Sequence, residues 1–140
     1  MMQQEIIIAG FGGQGILSAG RLLAYAGMVG GKQVSWLPSY GPEMRGGTAN
    51  CNVIISDVEV GSPVLNSANS LIVMNGPSLE KFEDTVVKVG LIIIDSSLVE
   101  RKCQRKDVEV IEIPATKIAL DMGNPTFAAV VLIGKLIAKT

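Results

Sequence analysis

Short apolar runs alternate along the chain with longer segments of helical periodicity. Residues 6–9, 71–74 and 91–94 are rich in β-branched side chains and show no polar alternation, which is typical of strands covered on both faces. We therefore expect these three runs to form the central, parallel strands of one sheet.

Residues 48–56 have a different pattern. Polar residues at positions 48, 50 and 52 alternate with apolar residues at 49, 51 and 53, which is the period of a half-buried strand. Ser56 and Asp57 could then turn the chain into residues 58–60. The pattern predicts a hairpin or an edge strand near residues 48–60.

The segments between these strands have helical spacing. Residues 14–29 are apolar except at Ser18, Arg21 and Tyr25, which share one helical stripe, and this predicts a largely buried helix. Residues 77–89 have Pro near the start and Gly just after the end, which predicts a crossover helix between two parallel strands. The remaining predicted elements are a strand over residues 108–113 and helices over residues 115–122 and 126–139.

This order of elements predicts the fold class. Strands separated by helices, with an aliphatic core, are typical of a three-layer α/β/α Rossmann-like domain with a mostly parallel sheet. Hydrophobic residues make up 48% of the chain and aromatic residues only 4%, which disfavours a β-sandwich. Because 140 residues is the size of an ordinary domain, we expect a single domain over residues 1–140.

Composition limits the chemistry of the chain. The 12 basic and 13 acidic residues give a net charge of −1 without a basic run, so nucleic acid is not an expected partner. Neither a signal pattern nor an apolar stretch of about 20 residues occurs, which predicts a cytoplasmic protein without a membrane segment. Histidine is absent and Cys51 and Cys103 lie far apart, so we expect no metal site, disulfide or catalytic triad in this chain.

A glycine-rich turn directly follows the first predicted strand. Residues 10–15, GFGGQG, fit the pattern G-x-G-x-x-G, in which glycines let the backbone approach a ligand and N–H groups at the helix start favour an anion. Two interpretations stay open: a phosphate or carboxylate site, or a tight turn that only lets the helix pack close to the sheet. A nicotinamide site would require an acidic residue after the second strand, and residues 10–42 contain neither Asp nor Glu.

A second glycine-rich loop follows the second predicted strand. Its Tyr40, Glu43 and Arg45 stand among three glycines, and loops at the carboxyl ends of strands build the binding sites of open α/β sheets. Glu43 and Arg45 could equally pair with each other or face water. The loop consists of Ser39, Tyr40, Gly41, Pro42, Glu43, Met44, Arg45, Gly46 and Gly47.

These two loops, in this order, resemble the gamma subunit or gamma domain of the 2-oxoacid:ferredoxin oxidoreductases. The similarity runs from residue 6 to residue 138 and includes the sequences TANC at 48–51 and GNP at 123–125. Residues 23–28 and 34–38 are most similar to the 2-oxoglutarate members.

The resemblance implies a non-catalytic subunit of a complex that oxidatively decarboxylates a 2-oxoacid, transfers the acyl group to coenzyme A and passes electrons to ferredoxin. We expect 2-oxoglutarate as the substrate, with pyruvate and branched-chain 2-oxoacids as alternatives. Thiamine diphosphate, Mg²⁺ and the iron–sulfur clusters are expected in partner subunits, namely alpha and beta subunits and a ferredoxin-type delta subunit or ferredoxin. We expect the isolated chain to be inactive and to lack a C-terminal helical segment of the family; its self-association is left open.

The resemblance also implies roles for the two loops. The candidate contacts of coenzyme A phosphates are Gly12, Gly13, Gln14, Gly15 and Arg45. Backbone N–H groups and a planar guanidinium suit phosphate, while the remaining residues of the second loop are candidate subunit contacts. A loop that contacts only a subunit is the competing interpretation. A stand-alone nicotinamide-binding oxidoreductase or a nucleotide-sensing module is the alternative function.

Overall fold

The structure is a computed structural model, and it describes residues 3–11, 16–39, 48–58, 67–99, 103–124 and 128–139. The described residues form one six-stranded sheet with the order β2-β3-β1-β4-β5-β6. The strands are β1 (Gln3–Phe11), β2 (Gln33–Ser39), β3 (Thr48–Ser56), β4 (Ala68–Val73), β5 (Val86–Asp95) and β6 (Glu109–Ile113). The helices are α1 (Ile16–Val29), α2 (Gly76–Phe82), α3 (Ala115–Asp121) and α4 (Ala128–Lys139).

The strand directions give a mixed sheet. β1, β4, β5 and β6 pair in parallel, whereas β3 is antiparallel to both of its neighbours, β1 and β2. The three apolar runs lie in β1, β4 and β5 as predicted. The strand predicted over residues 48–56 is confirmed too, but an edge position for it is wrong, because β2 lies outside β3. The predicted hairpin residues 59 and 60 lie outside the described residues.

Helices cover both faces of the sheet, which confirms the three-layer prediction. α1, α3 and α4 share one apolar cluster with alternate residues of the strands, among them Ile8, Val53 and Ile93. α2 lies on the opposite face, where Leu79 joins the cluster of Ile7 and Ile92. Burial on both faces explains why β1, β4 and β5 consist of continuous aliphatic runs.

The first helix approaches the sheet closely at Gly20. A Cβ atom built at this position would lie 2.3 Å from Sγ of Cys51 and 3.0 Å from Nε1 of Trp36. Only a glycine therefore allows α1 to pack at this distance from β2 and β3. The prediction of a largely buried helix is wrong for its outer side, where the apolar Met28 and Val29 are 57% and 71% exposed.

The predicted helix over residues 77–89 is wrong in its second half. α2 ends at Phe82, a 3₁₀ turn follows over Glu83–Thr85, and β5 begins at Val86. The apolar residues at 86 and 89, which have helical spacing after Leu79, belong to a strand because a run of β-branched residues at 85–87 favours extended backbone.

Arg105 holds this helix-to-strand junction. Its Nη1 donates to the carbonyl oxygens of Glu83 (2.9 Å) and Val86 (2.8 Å). Its Nε and Nη2 each lie 2.7 Å from a carboxylate oxygen of Asp107. One distant side chain thus binds a carbonyl just after the end of α2 and another at the start of β5.

A strained turn interrupts β5 at Val89. This residue has φ of 65° and is 91% exposed, a conformation that β-branched residues rarely adopt. Gly90 follows, where a Cβ atom would lie 2.8 Å from the Val87 carbonyl oxygen and 2.9 Å from that of Asn69. The close approach at Gly90 therefore requires glycine, and the positive φ falls on the valine before it.

Candidate functional site

The carboxyl ends of five strands lie along one edge of the sheet, which we call the carboxyl edge. β2 runs in the same direction as β1, because both are antiparallel to the strand between them. The edge is marked by Phe11, Ser39, Val73, Asp95 and Ile113, the last residues of β1, β2, β4, β5 and β6. In open α/β sheets this edge is where ligands bind.

Both predicted loops start from the carboxyl edge. Phe11, which precedes the first loop, is opposite Thr48, and Ser39, which ends β2, is opposite Asn50. Ser39 is thus placed at the edge. The other predicted site residues lie outside the described residues, and they are Gly12, Gly13, Gln14, Gly15, Tyr40, Gly41, Pro42, Glu43, Met44, Arg45, Gly46 and Gly47.

Asn75 lies at the point where the chain changes sheet face. The crossover after β1 uses α1 on one face, and the crossover after β4 uses α2 on the other, which is the arrangement of a topological switch point. Asn75 is 1% exposed, and its Oδ1 accepts a hydrogen bond of 2.8 Å from the Ser78 amide. Its Nδ2 is buried and meets no hydrogen-bond acceptor in the described part of the chain. The amide is therefore a donor available at the switch point.

Asn75 is absent from the predicted site, although the sequence contains a signal for it. An Asn at a strand end, two residues before Pro and three before Ser, is typical of a helix N-cap. The capping bond fixes one end of the amide and leaves the other end as the donor. The cap is visible in the sequence, but the burial of Nδ2 is not.

A small cavity of about 150 Å³ lies between the start of β3 and helix α2. Asn50 at the start of β3 and Ser78 and Lys81 of α2 supply its polar groups. The ammonium of Lys81 is 5.2 Å from the centroid of the Phe82 ring. The cavity therefore combines a cation, a hydroxyl and an amide next to the start of both loops, which suits an anionic group.

Asp95, also at the carboxyl edge, has a structural role. It is fully buried and accepts hydrogen bonds from the Thr116 hydroxyl (2.5 Å) and from the amides of Ser97 (3.1 Å) and Thr116 (3.3 Å). These bonds attach the start of α3 to the end of β5. Because its oxygens are occupied by neighbouring residues, Asp95 is not a candidate acid or base.

The two cysteines are not arranged for nucleophilic chemistry. Cys51 is fully buried, and burial raises the pKa of its thiol to about 11, although the nearby Trp36 lowers it slightly. Its Sγ lies 3.7 Å from the carbonyl oxygen of Ile16. Burial also raises the pKa of the half-buried Cys103. Both thiols are therefore protonated at neutral pH, whereas a nucleophilic cysteine must be in the thiolate form.

Within the described ranges, no group of three or more His, Cys, Asp or Glu side chains could hold a metal ion. No helix formed by the described residues has the length and apolar character that a membrane span requires.

Sequence and structure comparisons identify relatives of this chain. It is 43% identical to ketoisovalerate oxidoreductase subunit VorA of Methanothermobacter thermautotrophicus, over 96% of this chain and 28% of that protein. It is 35% identical to 2-oxoglutarate synthase subunit KorC of Methanocaldococcus jannaschii, over 96% of this chain and 74% of KorC. The chain thus spans little more than a quarter of the VorA protein but about three quarters of KorC.

The fold of this chain also matches the solved structure of a gamma subunit. The keto/oxoacid ferredoxin oxidoreductase gamma subunit of Geobacter sulfurreducens superimposes with a TM-score of 0.87 and 30% identity, over all of this chain and 77% of that chain. The family model described as pyruvate ferredoxin/flavodoxin oxidoreductase matches residues 5–140. The chain therefore belongs to the pyruvate ferredoxin/flavodoxin oxidoreductase family.

Proposed function

We propose that this chain is the gamma component of a 2-oxoacid:ferredoxin oxidoreductase. In that role it packs against the thiamine diphosphate-binding subunits and helps to position coenzyme A, while oxidation occurs in the partner subunits and electrons pass to ferredoxin. The observation that carries the proposal is the family match over residues 5–140, joined to two glycine-rich loops that start from one carboxyl edge.

The spacing of the loops supports an extended ligand such as coenzyme A. β3 lies between β1 and β2, so their ends are about 10 Å apart, which is twice the spacing of paired strands. A single phosphate cannot bridge that distance. Coenzyme A carries a pyrophosphate and a separate phosphate on its ribose, and Arg45, the N–H groups of residues 12–15 and Lys81 are our candidate contacts for them.

The same spacing argues against a nicotinamide site. In the dinucleotide-binding fold the second strand lies directly beside the first, and an acid at its end binds the ribose. Here β3 separates the two strands, and residues 10–42 contain no acid. Calorimetry of the isolated chain with NAD, NADP and coenzyme A tests this alternative. A micromolar affinity for a nicotinamide would favour a nicotinamide-binding oxidoreductase over the gamma component proposed here.

Different observations favour different 2-oxoacids as the substrate of the complex. The sequence motifs favour 2-oxoglutarate, and KorC is named as a 2-oxoglutarate synthase subunit, whereas the relative with the higher identity, VorA, is named for ketoisovalerate. An assay of the assembled complex with 2-oxoglutarate, ketoisovalerate and pyruvate decides between them. The cytoplasmic location stays a prediction.

Co-expression with candidate alpha and beta subunits tests the assembly role. We expect the chain to co-purify with them and its omission to reduce coenzyme A-dependent 2-oxoacid oxidation. Separate purification, with unchanged oxidation when the chain is omitted, would contradict the proposal.

The contribution to coenzyme A binding is tested with Arg45→Gln. Loss of a charge-assisted bond to phosphate should raise the KM for coenzyme A about tenfold, with little change in kcat or in the KM for the 2-oxoacid. Lys88→Gln removes an exposed lysine of β5 that is remote from the carboxyl edge and serves as the control. Equal KM values for the two variants would leave the loop with an interface role only.

A further inference from the structure

Three described helices carry apolar side chains on the surface that faces away from the sheet. α4 packs between α1 and α3, so their outer sides are continuous, and we call them together the apolar helical face. Six exposed side chains define it: Tyr25 and Met28 of α1, Leu120 of α3 with Met122 just after its end, and Val130 and Ile137 of α4. A helix that is apolar on both sides is normally covered on both sides, and the sheet covers only one.

We propose that the apolar helical face binds another subunit of the same complex, through an apolar surface of that subunit that carries acidic side chains. This inference rests on the proposed function, because it requires partner subunits, and it assigns the contact to a surface away from the two glycine-rich loops.

The size of the face suits part of a protein contact. α1 has 14 residues, α4 has 12 and α3 has 7, which gives lengths of about 20, 18 and 10 Å, and neighbouring helix axes lie about 8–10 Å apart. The face therefore measures roughly 400 Å² in projection, about half of the ~800 Å² of accessible surface that one partner contributes to a standard interface. Apolar patches of about 300–600 Å² are the largest on typical monomers and are often functional.

Charge on the face selects the kind of partner. The ionisable side chains described on these helices are basic at Arg21, Lys117 and Lys135 and acidic only at Asp121, although the whole chain has a net charge of −1. A symmetric contact between two copies would bring two basic surfaces together, which is unfavourable. A different subunit with acidic groups around an apolar centre is complementary.

One groove at the margin of the face, on the side of β2, has the composition of an interface hot spot. It has a volume of about 650 Å³, lies between α1 and β2, and is lined by Tyr25, Trp36, Arg21 and Met28 among others. The Arg21 guanidinium lies 6.0 Å from the centroid of the Trp36 ring. Trp, Tyr and Arg are the residues enriched where binding energy concentrates. We assign the groove to a large apolar side chain of the partner, with a partner carboxylate beside Arg21.

The test uses the full chain co-expressed with candidate alpha and beta subunits. Tyr25→Asp and Arg21→Glu should each weaken the apparent Kd for the partner at least tenfold, because each places a negative charge in the groove. The matched controls are Val89→Asp, another exposed apolar position that becomes acidic, and Lys88→Glu, another charge reversal. Both controls lie on β5 outside the face and should bind as the wild type does.

The outcomes separate this inference from the proposed function. Circular dichroism and the urea midpoint of isolated Tyr25→Asp and Arg21→Glu should match the wild type, since both side chains are exposed. Wild-type binding by Tyr25→Asp and Arg21→Glu would overturn the inference alone, as would an equal loss in the controls or a subunit ratio that shows a second copy on this face. Failure of the wild-type chain to bind any candidate subunit would contradict the proposed function and this inference with it.

Discussion

The close contact between α1 and the sheet gives a prediction whose sign can be worked out from the structure. In Gly20→Ala, the new Cβ atom would lie 2.3 Å from Sγ of Cys51, so the helix or the sulfur must move by about 1 Å to restore an ordinary contact. Cys51 is fully buried in a strand that is paired on both sides, so the sulfur has little room to move. The strain should cost about 2–3 kcal/mol.

The alanine also brings a gain, because it stabilises a helix by about 1 kcal/mol relative to glycine. The net effect of Gly20→Ala should therefore be a loss of about 1–2 kcal/mol of unfolding free energy. Gly134 of α4 is the matched control, because a Cβ atom there meets no other atom within 4 Å. Gly134→Ala should show only the helical gain, about 1 kcal/mol of added stability.

Urea unfolding followed by circular dichroism measures both variants. The midpoint should fall for Gly20→Ala and rise for Gly134→Ala. In the double variant Gly20→Ala/Cys51→Ala the sulfur is gone, so the cost of Gly20→Ala should shrink by at least about 1 kcal/mol. A Gly20→Ala chain that is as stable as the wild type, or one that Cys51→Ala fails to relieve, would refute this account of the contact.

Three other changes follow from features of the fold. Val89→Gly should raise the free energy of unfolding by about 0.5–1 kcal/mol, since relief of the positive φ outweighs the greater freedom of glycine in the unfolded chain; an unchanged urea midpoint would contradict this. Arg105→Met should lower the urea midpoint, because it removes the donor that binds the Glu83 and Val86 carbonyls. It should also raise the pKa of Asp107, which Arg105 holds below its usual range. Lys106→Met changes an exposed neighbour and is the control. The thiol of Cys51 ionises near pH 9 in the unfolded chain and near pH 11 in the folded chain. Its contribution to the free energy of unfolding is therefore complete below pH 9 and is lost as pH rises toward 11. In urea titrations from pH 9 to pH 11, the free energy of unfolding should fall less for Cys51→Ala than for the wild type.

The central strands could be predicted because their burial is a local property of the sequence. The runs at 6–9, 71–74 and 91–94 are short, aliphatic and without alternation, which is typical of strands covered on both faces. The order of the strands depends on where each crossover returns to the sheet. β3 lies between β1 and β2 and separates their ends. The pattern of apolar residues within β1 or β2 does not show which strand lies next to it in the sheet.

The end of α2 and the outer side of α1 show two other limits. Leu79, Phe82 and Val86 have helical spacing, but the helix ends at Phe82. Arg105, more than twenty residues later, donates to one carbonyl after the helix end and to one at the start of β5. The apolar residues of α1 predict burial without saying against what, and the sheet covers only one side of it. At the candidate site, the N-cap of Asn75 is legible in the sequence, while the burial of its Nδ2 depends on packing.

The two outer strands decide how this chain can associate with others. β2 contains Pro38, which has no N–H to donate, and β6 carries the exposed Glu109 and Glu112; proline and charge are both devices that discourage the addition of a strand from another molecule. Backbone pairing accepts almost any sequence, whereas contact through side chains requires a matching shape. Blunted sheet edges therefore lower the risk that copies of this chain add strands to one another and stack as in amyloid.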